Sequence, residues 1–343
     1  MARPKQHHYV TSSYLGGFLR PGVQHLVCYG RGRGPFRRAP VDLGSQRNYY
    51  AVKREDGTWD DSIEKLLGEA VESPGLPAIQ KLASGKTRLT WQDRNSLSLL
   101  LAFQEMRTPA ARERVRVFSK VLNERLFHEI RSADPHQNSV KLGTEAGSKT
   151  VTLEEMVKAH EEMCNDHSME IHRPLMSAAI KLSEYYKHMK FTVHYPSGDE
   201  EFITTDTPVI RVFSNVAALG TGIDRSDVEV RFPLSRKAFL TLTHDVALMG
   251  ALERASSAKR MRLLESLPET RIKHAANSEV VALNRAHARH ARLWLFASRD
   301  LDWVKGVLSE ASAAPTIADL SCGDLIHLQS RVNYDPGVDP VEN

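Results

Sequence analysis

Between Arg94 and Thr108 the chain reads RNSLSLLLAFQEMRT, a stretch that is apolar over much of its circumference when wound as a helix. A helix of that kind must be surrounded by other elements, so the sequence predicts a central buried helix with the rest of the fold built around it. Thr90, followed by Trp91, Gln92 and Asp93, fits a capping box at its start, and Pro109 interrupts it at its end. The 343 residues are 41% hydrophobic, enough for one large domain or two intimately packed ones.

The flanking segments alternate between two periodicities. Residues 1–60 read as β-rich: HLVCYG (His25 to Gly30) is a strand, GRGRGPFRR suits a hairpin loop, NYYAV (Asn48 to Val52) is a second strand or its end, and Asp56-Gly57 is a turn. From Ser62 the pattern turns helical. SIEKLLGEAVE has a Ser cap and apolar residues at Ile63, Leu66, Leu67 and Val71, with Pro74 and Gly75 as its stop. ARERVRVFSKVLNERLFHEI makes a second long amphipathic helix. Residues 134–150 are polar with two glycines and read as a mobile connection, after which helices resume from Thr152 to about Lys187. Strand-like segments come next: FTVHY, EFITTD after the SGDE turn, TPVIRVF, VEVRFPLS and AFLTLT. Helices over Val246–Leu267 and Asn277–Arg292 and a strand LWLFAS (Leu293 to Ser298) complete the pattern.

Together these predict an α+β fold, a mostly helical body packed on a small antiparallel sheet, with an N-terminal β-hairpin element. The expected organisation is a single domain over 1–320, made of a β-rich part (1–60), a helical part (61–190) and a β then α/β part (191–300). Residues 321–343 form a peripheral tail.

Net charge is +4, a mild basic excess unlike that of a dedicated nucleic-acid binder. Cys28, Cys164 and Cys322 are widely spaced, odd in number and form no CxxC, which points to a reducing, cytoplasmic setting. The N-terminal MARPKQHHYV lacks the apolar stretch of a signal peptide, and runs such as Leu99 to Phe103 are too short to cross a bilayer, so no membrane partner is expected.

Several segments, in order, resemble a bacterial family known as domain of unknown function 4238: KQHHYVTSSYLGGF, QRNYY, SIEKLLGEAVE, LAFQEMRTP, EFITTDTPV, RFPLS and VVALNRAHARHARLWLFAS. They span about 290 residues. The family usually has Pro where Thr11 stands here, and Ser-Asp-Asn-Pro where this chain has Thr205, Asp206, Thr207 and Pro208. The resemblance implies a map of positions and no particular reaction.

Each candidate position has a chemical and a structural reading. His7 and His8 could supply a general base or metal ligand near neutral pH, or be held in a structural arm. In extended backbone they face opposite sides, and His8 is preferred. Asp206 ends a strand two residues before Pro208, where it either presents an acid at a rim or caps a turn. Glu64 and Glu72 share one helix eight residues apart, about 12 Å along an α-helical axis and too distant to act as a pair, though one could meet His8 or Asp206. Gln104, Glu105 and Arg107 close the apolar helix and must find partners there. Arg107 could grip a phosphate or carboxylate, or serve as counter-ion to Asp206 or Glu72. His160, Cys164 and His167 share a helix face, and HEEMC weakly echoes the zinc-protease HExxH. Arg31, Arg33, Arg37 and Arg38, with the stripe Arg112, Arg116 and Lys120, could track a phosphate backbone, or form a solvated face.

The leading expectation is a hydrolase for a phosphodiester or nucleotide-like substrate. In it His8 is the general base, Asp206 orients it or holds a divalent ion, Glu72 is the second acid, and Arg107 stabilises negative charge. His7, Tyr49, Gln104, Asn284 and Arg33 are substrate-binding groups. The other expectation is a non-catalytic nucleic-acid- or protein-binding module whose polar cluster is structural. These residues either converge on an open pocket or are sealed and mutually satisfied. Oligomeric state is not indicated.

Overall fold

A computed structural model describes residues 6–30, 33–54, 56–133, 138–144, 147–214, 222–223, 225–245 and 269–310. The helix expected over 246–267 and the tail at 321–343 lie outside the described residues. The described chain is α+β. The first stretch holds β1 (Gln6–His8), α1 (Ser12–Gly16), the hairpin β2 (Leu26–Gly30) and β3 (Arg33–Arg38), and the short strands β4 (Ser45–Arg47), β5 (Val52–Lys53) and β6 (Trp59–Asp60). The helical part comprises α2 (Ser62–Leu66), α3 (Ser73–Ala83), α4 (Trp91–Met106), α5 (Pro109–Ala133), the hairpin β7 (Ser139–Thr144) and β8 (Gly147–Thr152), α6 (Leu153–Cys164) and α7 (Met169–His188). Then come β9 (Lys190–Pro196), β10 (Thr204–Thr205), β11 (Ile210–Phe213), β12 (Val228–Ser235), β13 (Ala238–Thr243), β14 (Arg271–Ala275), α8 (Asn277–Arg289), β15 (Trp294–Ala297) and α9 (Val304–Glu310).

The helix α4 is the buried centre that its sequence predicts, and Thr90 and Asp93 form the expected reciprocal capping box. Its fully buried Arg94 donates to the carbonyls of Lys187 (2.7 Å) and Met189, and its guanidinium lies 3.8 Å from the centre of the Phe191 ring. A cation thus satisfies carbonyls that the end of α7 leaves unbonded.

Two sheets flank this body. One runs β11-β12-β13-β9-β14 and is antiparallel except for the parallel β9–β14 pair. The other, β10-β15-β2-β3, is antiparallel throughout. The alternation of β2 explains how the inner strands of this second sheet, β2 and β15, are buried on both faces. Leu26 and Cys28 enter the main core, whereas Val27 and Tyr29 enter a smaller core with Ala288, Val304 and Val307 from α8 and α9. β15 divides the same way, Phe296 to one core and Leu295 and Ala297 to the other.

The structure departs from the sequence-based expectations in four places. GPFRR belongs to strand β3 instead of a loop, paired along its length with β2. NYYAV is a turn over Asn48–Tyr50 that enters β5 at Val52, because Asn48 takes a positive φ of 53° and its carbonyl accepts from Ala51. The polar segment after α5 forms the β7–β8 hairpin, where backbone pairing does not depend on apolar side chains. Pro74 and Gly75 do not stop the first helix. α2 passes through a π-helical stretch, Leu67–Glu72, into α3, with the Ser73 N–H reaching back to the Gly68 carbonyl. Pro74 then sits just past this stretch, near the start of α3, without ending the helix.

Candidate functional site

The π-helical turn is where candidate residues collect. An i→i−5 bond widens the helix and rotates the residues beyond it, so Glu72 does not stand where an uninterrupted α-helix would put it. Arg107, buried at the end of α4, donates from Nη1 to Glu72 Oε1 at 2.5 Å and from Nε to Gln104 Oε1 at 3.1 Å. Gln104 Nε2 in turn donates to the Tyr9 carbonyl at 2.8 Å. Glu64 lies beside this group, and its carboxylate accepts the His8 backbone N–H. Burial, and then the charge of Glu72, push the Glu64 carboxyl up to about 7, against the opposing pull of Arg107. The two glutamates expected to be too far apart are therefore electrostatically coupled around one guanidinium.

His7 closes the other side. Its Nδ1 accepts the Tyr50 N–H at 2.9 Å, so the ring proton sits on Nε2, which faces Asp61 Oδ1 at 3.6 Å. The Tyr50 ring stacks on His7 with centroids 6.0 Å apart, and the buried Tyr50 hydroxyl has no hydrogen-bond partner among the described residues. A cavity of about 20 Å³, room for a single water, is bounded by Tyr50, Phe103, Arg107, Arg112 and His172. Tyr49 stacks over Arg112 at 3.5 Å, and burial followed by the Arg112 charge pushes His172 down to about 3.

The remaining candidates do not join this centre. β1 is extended and paired with β4, and His7 is the inward residue of the two. The His8 ring turns the other way and bonds the Val41 carbonyl at 3.0 Å. Asp206 is buried, and its two oxygens accept the N–H groups of Arg292 (2.9 Å) and Leu293 (2.7 Å), clamping the turn between α8 and β15. Its carboxyl is raised to about 6 by burial, with those backbone bonds opposing. Asn284 is a similar clamp, accepting from Ile203 N–H and donating to the Glu201 carbonyl. His8, Asp206 and Asn284, expected as base, orienting partner and substrate group, thus each bond to backbone groups here. Tyr9 connects the regions, since its carbonyl holds Gln104 while Asp206 acts on its hydroxyl.

The Arg112, Arg116 and Lys120 stripe runs from the interior outward, and Lys120 is exposed beside Glu124. Arg112 is buried, and Arg116 donates to Asp166 at 2.5 Å and to the Met163 carbonyl. On β3, Arg37 pairs with Asp300 at 3.0 Å. Arg33 and Arg38 instead line a cleft of about 350 Å³ with Tyr9, Phe36, Asp42, Ser45 and Trp294. His160 Nε2 lies 3.6 Å from Cys164 Sγ on the exposed face of α6, and His167 turns to the Ala51 carbonyl. Among the described residues no group of three or more His, Cys, Asp or Glu side chains is arranged to hold a metal ion. None of their helices is long and apolar enough to cross a membrane.

Asp61, Tyr50 and Trp294 stand outside the set of residues expected from sequence, and Glu64 stands in it without Glu72 as a partner. The QRNYY and SIEKLLGEAVE segments are signals for Tyr50 and Glu64, but only the π turn reveals the pairing.

The structure thus defines an α+β protein with a carboxylate–arginine centre set under a π-helical turn. The family described as "Protein of unknown function (DUF4238)" matches residues 6–300, and the chain belongs to that family. Comparison with curated proteins and with solved structures returns no match.

Proposed function

We propose that the protein is a hydrolase acting on a phosphodiester or nucleotide-like substrate, with Glu64 as its general acid–base in place of His8 or Asp206. The observation that carries this is the Glu64 carboxyl, lifted to about 7 beside Glu72 and Arg107. An acid poised near the working pH is the one that transfers protons efficiently, and neighbouring carboxylates in unlike environments divide the acid and base roles. Glu72 holds Arg107 in place, and the guanidinium supplies positive charge for a developing oxyanion. Cys28 and Cys164 are free thiols, which supports a reducing, cytoplasmic setting.

The test is hydrolysis of bis(p-nitrophenyl) phosphate and a nucleotide panel, with and without magnesium or manganese, from pH 5 to 9. Turnover governed by a group titrating near pH 7 and abolished in Glu64→Gln, with melting unchanged, is the expected result. No turnover by the folded protein, or an equally active Glu64→Gln, overturns it. The second reading, a non-catalytic nucleic-acid- or protein-binding module, is favoured by the backbone-holding roles of His8, Asp206 and Asn284. It predicts binding without turnover.

A further inference from the structure

The cleft on the edge of the four-stranded sheet has features that the carboxylate centre does not use. Trp294 pairs with Gly30 across β15 and β2. Its half-buried ring lies over that glycine, so closely that a Cβ at position 30 would stand 2.4 Å from the ring. Phe36 braces the ring edge-on, with centroids 5.5 Å apart at 90°. The indole is thereby fixed as a platform at the cleft wall. The Arg33 guanidinium is 6.0 Å from the ring centroid. At that distance the guanidinium rests over the ring as a cation–π contact, and as an exposed side chain it is free to give way to a planar group. Arg33 and Arg38 are exposed and form no ion pair with any described acid, whereas Arg37, on the opposite face of β3, has Asp300. Asp42 at the exposed rim offers an acceptor for a hydroxyl or amino group. The cleft volume of about 350 Å³ falls within the roughly 300–1,000 Å³ of small-molecule sites.

We infer that this cleft binds a 5′-phosphorylated nucleotide, with the base stacked on Trp294 in place of the Arg33 guanidinium and the phosphate held by Arg38 and Arg33. Aromatic stacking accepts any base, and an arginine fork suits a phosphate. The ligand is a free nucleotide or the phosphorylated end of a strand. The inference goes beyond the hydrolase reading and stands on the cleft alone, resting on that reading only for what happens to the ligand afterwards.

The experiment is equilibrium titration of the full chain at low salt with AMP, adenosine, inorganic phosphate, and an oligonucleotide with and without a 5′-phosphate. Binding is read by calorimetry and Trp fluorescence in wild type, Arg33→Gln/Arg38→Gln and Gly30→Ala. AMP should bind at least tenfold more tightly than adenosine or phosphate alone. The double variant, whose exposed positions leave folding intact, should lose at least tenfold, and Gly30→Ala should weaken AMP while shifting the fluorescence. Binding of the phosphorylated strand but not its unphosphorylated form identifies a strand end, and binding of AMP alone identifies a free nucleotide. Either result supports the site. No AMP binding at millimolar concentration, equal binding by the double variant, or phosphate binding as tightly as AMP overturns it. Because binding is read without turnover, a protein that binds AMP but hydrolyses nothing separates the two readings.

Discussion

Titration of His287 should make the stability of this protein depend on pH in a calculable way. His287 lies on α8, fully buried, edge-on to Phe239 with ring centroids 6.0 Å apart, and neither ring nitrogen has a hydrogen-bond partner among the described residues. Burial, and then the charges of His290 and Arg231, push it down to about 3. The unfolded chain takes up its proton at about 6.5, while the folded chain refuses it until near 3. Stability from this residue is therefore complete above pH 6.5 and declines as pH falls. At pH 5 the loss is about 2 kcal/mol, a figure set by the unfolded-state value as long as the folded value lies well below 5. Glu64 and Asp206, both raised by burial, act in the opposite direction over part of this range. The comparison that isolates His287 is therefore between wild type and His287→Gln by urea denaturation at pH 8 and pH 5. The wild type should lose about 2 kcal/mol more than the variant between those two conditions. Parallel losses would refute the reasoning, because they would mean that the folded imidazole titrates as freely as the unfolded one.

Two further substitutions test the polar network. Arg107→Met removes the partner of Glu72 and of Gln104 and should cost about 3 kcal/mol in urea denaturation at pH 7; a loss under about 1 kcal/mol would show that the pair is not held in place. Asp206→Asn replaces one of the two carboxylate oxygens that accept backbone N–H groups with an amide donor and should cost about 2 kcal/mol, with turnover per folded molecule retained. Lost turnover with unchanged melting would instead return Asp206 to the reacting groups.

How much of the fold and site is legible in the sequence depends on how local each determinant is. The Thr90–Asp93 box, the apolar circumference of α4 and the strand character of β12 and β13 are properties of adjacent residues, and each is readable. The spacing of Arg112 and Arg116 puts them on one side of a helix but does not say that Tyr49 and Asp166 cover that side. The alternation of His7 and His8 is legible, while the choice of inward residue is not, since that depends on Tyr50 and Asp61. The Glu64–Glu72 coupling is hidden from an α-helical period, because a single wide turn changes the phase of everything after it. Asp206 reads from sequence as either a rim acid or a turn cap, and its bonds to the N–H groups of Arg292 and Leu293, far along the chain, are invisible at that level.

The pairing of residues 26–30 with residues 294–297 also governs how the molecule is made. During synthesis the β2–β3 hairpin emerges early, with its Val27 and Tyr29 face bare, and its partner strand arrives some tens of seconds later at about 5–20 residues per second. Through that interval the hairpin is an open template with an apolar side, the kind of surface that attracts chaperones or mispairs with a neighbouring nascent chain. The Trp294 platform does not exist until β15 arrives, so ligand recognition at this cleft would be among the last properties the chain acquires.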